Sequence, residues 1–146
     1  MIADMQKWTP NIASIIEHAN QFHPNTEVVS RMVSGNIHKT NYSEVCTRSR
    51  KLASALEKDG YKEGDVIATL ALNTYRHLEM YYGISGMGGI NHTLNFRLHP
   101  EQAVYIINHA EDKVIFCETP FIPILEGLQE NLELSLIHIS EPTRPF

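Results

Sequence analysis

The sequence predicts an α/β fold: a parallel sheet with crossover helices, preceded by one helix and a β-hairpin. Three observations carry this. Residues 66–72 (VIATLAL) and 114–117 (VIFC) are apolar runs with almost no polar alternation, as in strands buried on both faces. Helical spacing of apolar residues flanks each run. Strand and helix then alternate three times, and right-handed crossovers turn such an order into a parallel sheet.

Each element has its own local reason. Residues 11–22 carry Ile12, Ile15, Ile16 and Ala19 at helical spacing, and Pro24 stops them. Residues 27–32 and 37–42 read as strands joined by the turn Ser34-Gly35-Asn36, a hairpin signature. Ser43 is placed to cap a helix whose inward face is Val45, Leu52, Ala53 and Leu56, with Gly60 ending it. After the strand at 66–72, Asn73 or Thr74 caps a helix presenting Leu78, Tyr81, Tyr82 and Met87, and residues 90–95 form the next strand. Pro100 and Glu101 suit the first turn of a helix buried along Ala103, Val104, Ile106, Ile107 and Ala110. The strand 113–118 follows, and Thr119-Pro120 opens a last helix through Leu125 and Leu128.

The chain's 146 residues suffice for one core and are too few for two comfortable domains. Its net charge of −5 argues against a nucleic-acid partner, which calls for a basic excess. Trp8, Tyr81, Tyr82 and Phe96 are also scattered rather than interleaved with Lys and Arg. No apolar run reaches the roughly 20 residues of a transmembrane helix, and no secretory signal opens the sequence. Cys46 and Cys117 read as two buried thiols in a reducing compartment, which places the protein in the cytoplasm.

From about Leu134 the pattern fails. Residues 135–146 (SLIHISEPTRPF) show no helical face and carry Pro142 and Pro145. They resemble the translated read-through of a sequencing adapter, so the expected organisation is a partial domain over 1–134 and a non-native, disordered tail over 135–146. Re-sequencing the locus across the codon for Leu134 tests this; an unbroken frame encoding the same tail defeats it.

Motifs that carry chemistry are few. Gly83, Gly86, Gly88 and Gly89 lie where a helix ends and a strand begins, the wrong end for a phosphate loop, and suit a C-cap and close packing instead. Among eight histidines, His77 with Glu79 and His92 with His99 come nearest to ligand pairs, but no His-x-x-x-His or Cys-x-x-Cys spacing occurs. His109 suits the negative pole of its helix. No Gly-x-Ser-x-Gly elbow is present. The residues therefore yield a fold, with no catalytic, cofactor-binding or metal site.

Two stretches resemble a family. Residues 41–74 (NYSEVCTRSRKLASALEKDGYKEGDVIATLALNT) are similar to the early helix, Gly-Asp turn and buried strand of the adenylate-forming enzymes. Residues 76–116 (RHLEMYYGISGMGGINHTLNFRLHPEQAVYIINHAEDKVIF) resemble the fatty-acid–CoA ligase branch in their His-Leu-Glu helix, Gly-Met-Gly end, His-Thr-Leu-Asn and Asn-His-Ala-Glu-Asp-Lys-Val run. The hairpin region 28–42 also suits that branch. Taken together, the resemblance identifies the chain as the scaffold of the large N-terminal domain of an AMP-forming fatty-acid–CoA ligase.

The resemblance implies a full-length enzyme that activates a medium- or long-chain fatty acid with ATP and Mg²⁺ to an acyl-adenylate and passes the acyl group to CoA. It also implies later motifs: a Ser/Thr/Gly-rich phosphate loop, Tyr-Gly-x-Thr-Glu, a ribose-binding Asp and a mobile lysine. None stands in this sequence, so no residue is carried over and the chain alone is expected to be inactive and to bind no cofactor. Some members dimerise through the first helix region, which makes Ile12, Ile15 and Ile16 a candidate homodimer patch. Two other readings stay open: an adenylating enzyme for another acid or acceptor, and a complete small α/β binding module. The last predicts a crevice at the strand ends, around Asn73-Thr74, Arg97-Leu98-His99 and Thr119-Pro120.

Overall fold

The computed structural model describes residues 11–133 and the strand 136–140. The chain opens with α1 (Ala13–Phe22) and a hairpin of β1 (Glu27–Arg31) and β2 (Ile37–Asn41), paired antiparallel from Glu27↔Asn41 to Arg31↔Ile37. Then come α2 (Tyr42–Lys58), β3 (Val66–Leu70), α3 (Tyr75–Gly86), β4 (Ile90–Thr93), α4 (Pro100–His109), β5 (Val114–Glu118) and α5 (Ile122–Leu128). The strands form one parallel sheet in the order β4-β3-β5, extended by β6 (Leu136–Ser140) beside β5.

The sheet is the middle of three layers. Ile67, Val114 and Phe116 meet Leu52 and Leu56 of α2 and Met80 and Ile84 of α3 on one face. Ala68, Leu70, Ile115 and Cys117 meet Ile107 of α4 and Leu125 of α5 on the other. Successive strand residues thus feed opposite cores, which is why these segments lack polar alternation. A third cluster, Ile16, Val45 and Cys46, seats α1 on α2 beside the hairpin.

Several expectations need correction. Helix α2 is capped by Asn41, whose Oδ1 accepts the Glu44 N–H at 2.9 Å, so the helix starts before Ser43. Asn is at least as good a cap as Ser, and its extended backbone continues β2 directly into the helix. Helix α3 buries Tyr75, Glu79, Met80, Gly83 and Ile84, while Tyr81 is exposed. Its inward face is rotated because it packs on α2 as well as on the sheet, through the side-chain-free surface of Gly83. On α4 only Ile107 of the expected stripe is fully buried. Residues 119–121 form a 3₁₀ turn before α5.

The stretch read as a disordered tail contains a strand. Backbone 136–140 pairs with β5 from Val114↔Leu136 to Glu118↔Ser140. The exposed edge of β5 offers unpaired backbone groups, and Leu-Ile-His-Ile is a good strand sequence. Residues 134–135 and 141–146 lie outside the described residues.

Candidate functional site

The order β4-β3-β5 makes a switch point. From β3 the chain leaves into α3 on one face; from β5 it leaves toward α5 on the other. Ligand crevices of open α/β sheets lie where exits diverge in this way, outside the carboxyl ends of the strands. A cavity of ≈ 600 Å³ lies there, floored by Tyr75 and Arg76 after β3, by Glu118 at the end of β5 and by Thr119 and Pro120 after it. The hairpin tip roofs it with Met32, Val33, Asn36 and Ile37.

Local chemistry fixes its walls. Glu118 Oε2 accepts the Leu72 N–H at 2.8 Å, tying the exits of β5 and β3 together. The His38 ring stacks on Tyr75 at 3.8 Å between centroids, which fastens β2 to the start of α3. Arg76 donates from Nε to the Tyr75 hydroxyl at 3.1 Å. Both charged groups of the crevice are therefore engaged by the chain itself.

A second cavity of ≈ 520 Å³ lies beside it, lined by Val28, Val29, Asn73, Thr74, His77 and Tyr81 among others. His77 Nε2 stands 3.1 Å from Thr69 Oγ1, which is 3.3 Å from Asn91 Oδ1, and the ring also bonds the Leu72 backbone. Burial pushes the His77 pKa below the usual histidine range, with Glu118 and the Leu72 bond opposing. The Thr69 hydroxyl has one proton for two acceptors. Its two candidate acceptors are the Asn91 amide oxygen and, in the neutral imidazole that donates to Leu72, Nε2 of His77. Nδ2 of Asn91 is a buried donor with no hydrogen-bond partner.

Elsewhere Arg48 Nε donates to Glu79 Oε1 at 2.7 Å across α2 and α3. Burial raises the Glu79 carboxyl, against the pull of Arg48. His77 and Glu79, two residues apart, thus face different partners. Among the described residues no group of three or more His, Cys, Asp and Glu side chains is placed to hold a metal ion. No helix there is long and apolar enough to cross a membrane.

Of the three loops expected at a crevice, Thr119-Pro120 floors the larger cavity and Asn73-Thr74 lines the smaller; Arg97-Leu98-His99 reaches neither. Arg97 instead lies over the Phe96 ring, 5.2 Å from its centroid, and His99 caps α4. The hairpin roof was not anticipated, because no periodicity in 27–42 says which element the turn folds over. The candidate dimer patch is divided: Ile16 is buried, whereas Ile12 and Ile15 are exposed.

The class this architecture defines is a parallel α/β scaffold of three layers. The anthranilate CoA ligase AuaEII, solved with anthranoyl-AMP, shares the fold with a TM-score of 0.81 at 21% identity, over 94% of this chain and 26% of that one. The family model for AMP-binding enzymes matches residues 16–144, and the chain belongs to that family. It is 44% identical over 132 residues to the 3-methylmercaptopropionyl-CoA ligase of Ruegeria lacuscaerulensis. It is 46% identical over 132 residues to the medium-chain-fatty-acid–CoA ligase of Ectopseudomonas oleovorans. Each alignment takes in 90% of this chain and 24% of the relative, so the chain spans about a quarter of the length of the curated relatives it matches.

Proposed function

We propose that this chain is the N-terminal scaffold segment of an AMP-forming acid–CoA ligase acting on a medium- or long-chain fatty acid with ATP, Mg²⁺ and CoA. The observation that carries the reading is 46% identity to a medium-chain-fatty-acid–CoA ligase, within the matched AMP-binding family. The segment's part is mechanical: it holds the three-layer sheet and ties the exits of β3 and β5 through Glu118 and Leu72. The sequence carries no Ser/Thr/Gly-rich phosphate loop, and on that ground we read the chain as forming no acyl-adenylate alone. Acid-dependent pyrophosphate release from ATP, assayed with octanoate and palmitate, is the test; turnover by the isolated chain defeats the inactive reading.

A second reading keeps the chemistry and changes the acid. The relative at 44% identity is named for 3-methylmercaptopropionate, so near-equal identity supports a short thioether acid almost as well. Replacing the matched quarter of the medium-chain relative with this segment, and comparing octanoate with 3-methylmercaptopropionate, asks whether the segment contributes to the choice. In the cell we place the protein in the cytoplasm. The exposed Ile15 and Phe22 on α1, with Ile12 just before it, support association into a homodimer. Sedimentation of the chain and of an Ile15→Glu variant tests that, and an unchanged dimer in the variant moves the contact elsewhere.

A further inference from the structure

Strand β5 is buried from Val114 to Cys117, with β3 on one side and β6 on the other. Its β6 side is closed by residues near the end of the chain, paired in parallel from Val114↔Leu136 to Glu118↔Ser140. Without β6 that edge presents a row of unpaired N–H and C=O groups beside the uncharged run Val-Ile-Phe-Cys, a template for any strand that reaches it. The link from α5 to β6 is held by one side chain. Asn108, in the last turn of α4, donates from Nδ2 to the Asn131 carbonyl at 2.9 Å, and its Oδ1 accepts the Glu133 N–H at 3.1 Å. A single amide thus grips the backbone on both sides of Leu132, which packs against the core between the sheet, α4 and α5.

We infer that Asn108 is a latch that keeps β6 on its own sheet, and that the β5 edge takes the β6 of a second copy when the latch is released. In the exchanged pair each copy gives residues 136–140 to the other's β5, in the register its own strand uses. The β5–β6 ladder is the same in both forms, so the link decides between them. The two Asn108 bonds and the packing of Leu132 favour the closed chain; a rising concentration favours the exchanged pair. The contact is separate from the one proposed for α1 and does not depend on the ligase reading.

Sedimentation of the full 146-residue chain and its variants is the experiment. Asn108→Ala should tighten dimerisation at least about tenfold, since its bonds are lost from the closed chain alone. Asn108→Asp, which keeps an acceptor for the Glu133 N–H, should fall between the two; it carries the test if Asn108→Ala fails to fold. Adding Ile137→Pro and His138→Pro should abolish the gain. Consecutive N–H groups of a strand point to opposite sides, so one of these prolines removes a donor to β5. Adding Ile15→Glu instead should leave the gain intact. In a dimer assembled from isotope-labelled and unlabelled copies, filtered NMR should show contacts between β5 of one copy and β6 of the other. The inference is overturned by dimerisation unchanged in the folded Asn108 variants, and equally by a gain that survives the two prolines or vanishes with Ile15→Glu. A dimer without contacts between β5 and the other copy's β6 overturns it too.

Discussion

His92 Nδ1 lies 2.9 Å from Asp112 Oδ2 and 3.0 Å from Oδ1, joining β4 to the turn that leads into β5 on the far side of β3. The Asp112 side chain is fully buried. Burial raises its carboxyl above the usual range, with the hydrogen bond and charge of His92 opposing. A carboxyl raised in the folded state holds its proton to higher pH than in the unfolded chain. Its contribution is therefore most favourable in acid and declines as pH rises through the folded value. Asp112→Asn should remove that decline while keeping a bond to His92. Asp112→Ala, which leaves the imidazole without its partner, should cost about 1–3 kcal/mol. Urea midpoints from acid to neutral pH check both, and a decline unchanged in Asp112→Asn excludes this carboxyl as its source.

His77 gives the opposite slope. Its folded pKa is depressed, mainly by burial, so below the usual histidine range the unfolded chain binds the additional proton. Stability should be full at neutral pH and fall as pH drops through the window between the unfolded and folded values. His77→Gln, able to bond Thr69 without titrating, should flatten this limb at some loss of stability at neutral pH. The same urea series reads it, and an acid limb surviving in the variant assigns the effect to another group.

Two glycines of α3 should respond with opposite signs to alanine. A Cβ on Gly83 meets Leu52 Cδ2 at 2.9 Å and the Ser49 carbonyl oxygen at 3.0 Å. That oxygen belongs to the backbone of α2 and cannot swing away, so Gly83→Ala must push the helices apart, costing about 1–3 kcal/mol. A Cβ on Gly86 meets nothing within 4 Å, and that residue is helical. Gly86→Ala should stabilise by up to about 1 kcal/mol through helix propensity. Thermal unfolding of the pair decides whether close packing of α2 on α3 is what Gly83 is for.

The contrast shows which parts of the structure were legible beforehand. Strands β3 and β5 were plain in their apolar runs, because burial on both faces leaves a composition that nothing else in the chain imitates. The placement of glycines at the end of α3 also carried through, with Gly88 taking a left-handed φ of +84° just beyond the helix. The inward face of α3 was misread because Gly83 and Glu79 do not look like core residues. Glu79 is buried only because Arg48 reaches it from α2, a pairing 31 positions away in sequence. The crevice was half legible: topology located it at Thr119-Pro120, but the hairpin that roofs it is joined by the His38–Tyr75 stack, which no local pattern announces. Strand β6 depends on an edge of β5 that exists only in the folded sheet.

The two thiols offer a probe of how this sheet opens. Cys117, next to the end of β5 and packed against α4 and α5, is inaccessible, and burial pushes its pKa up to about 12, with Glu118 adding to the rise. Cys46, on α2 under α1, is also raised, by burial first and then by Glu17, to which its thiol donates at 3.6 Å. Thiolate is the reactive form, so both should resist alkylation at neutral pH until the surrounding packing opens. They report on different events. Cys46 lies beneath α1, which is held by the small cluster around Ile16 and by the ion pair of Glu17 with Arg50. Cys117 lies within the sheet core itself. Local release of α1 should therefore expose Cys46 at lower denaturant than Cys117. Glu17→Gln should bring Cys46 labelling forward and leave Cys117 unchanged. Alkylation followed by mass spectrometry along a urea gradient measures both sites together. If the two thiols react in step in both proteins, α1 belongs to the same cooperative unit as the sheet.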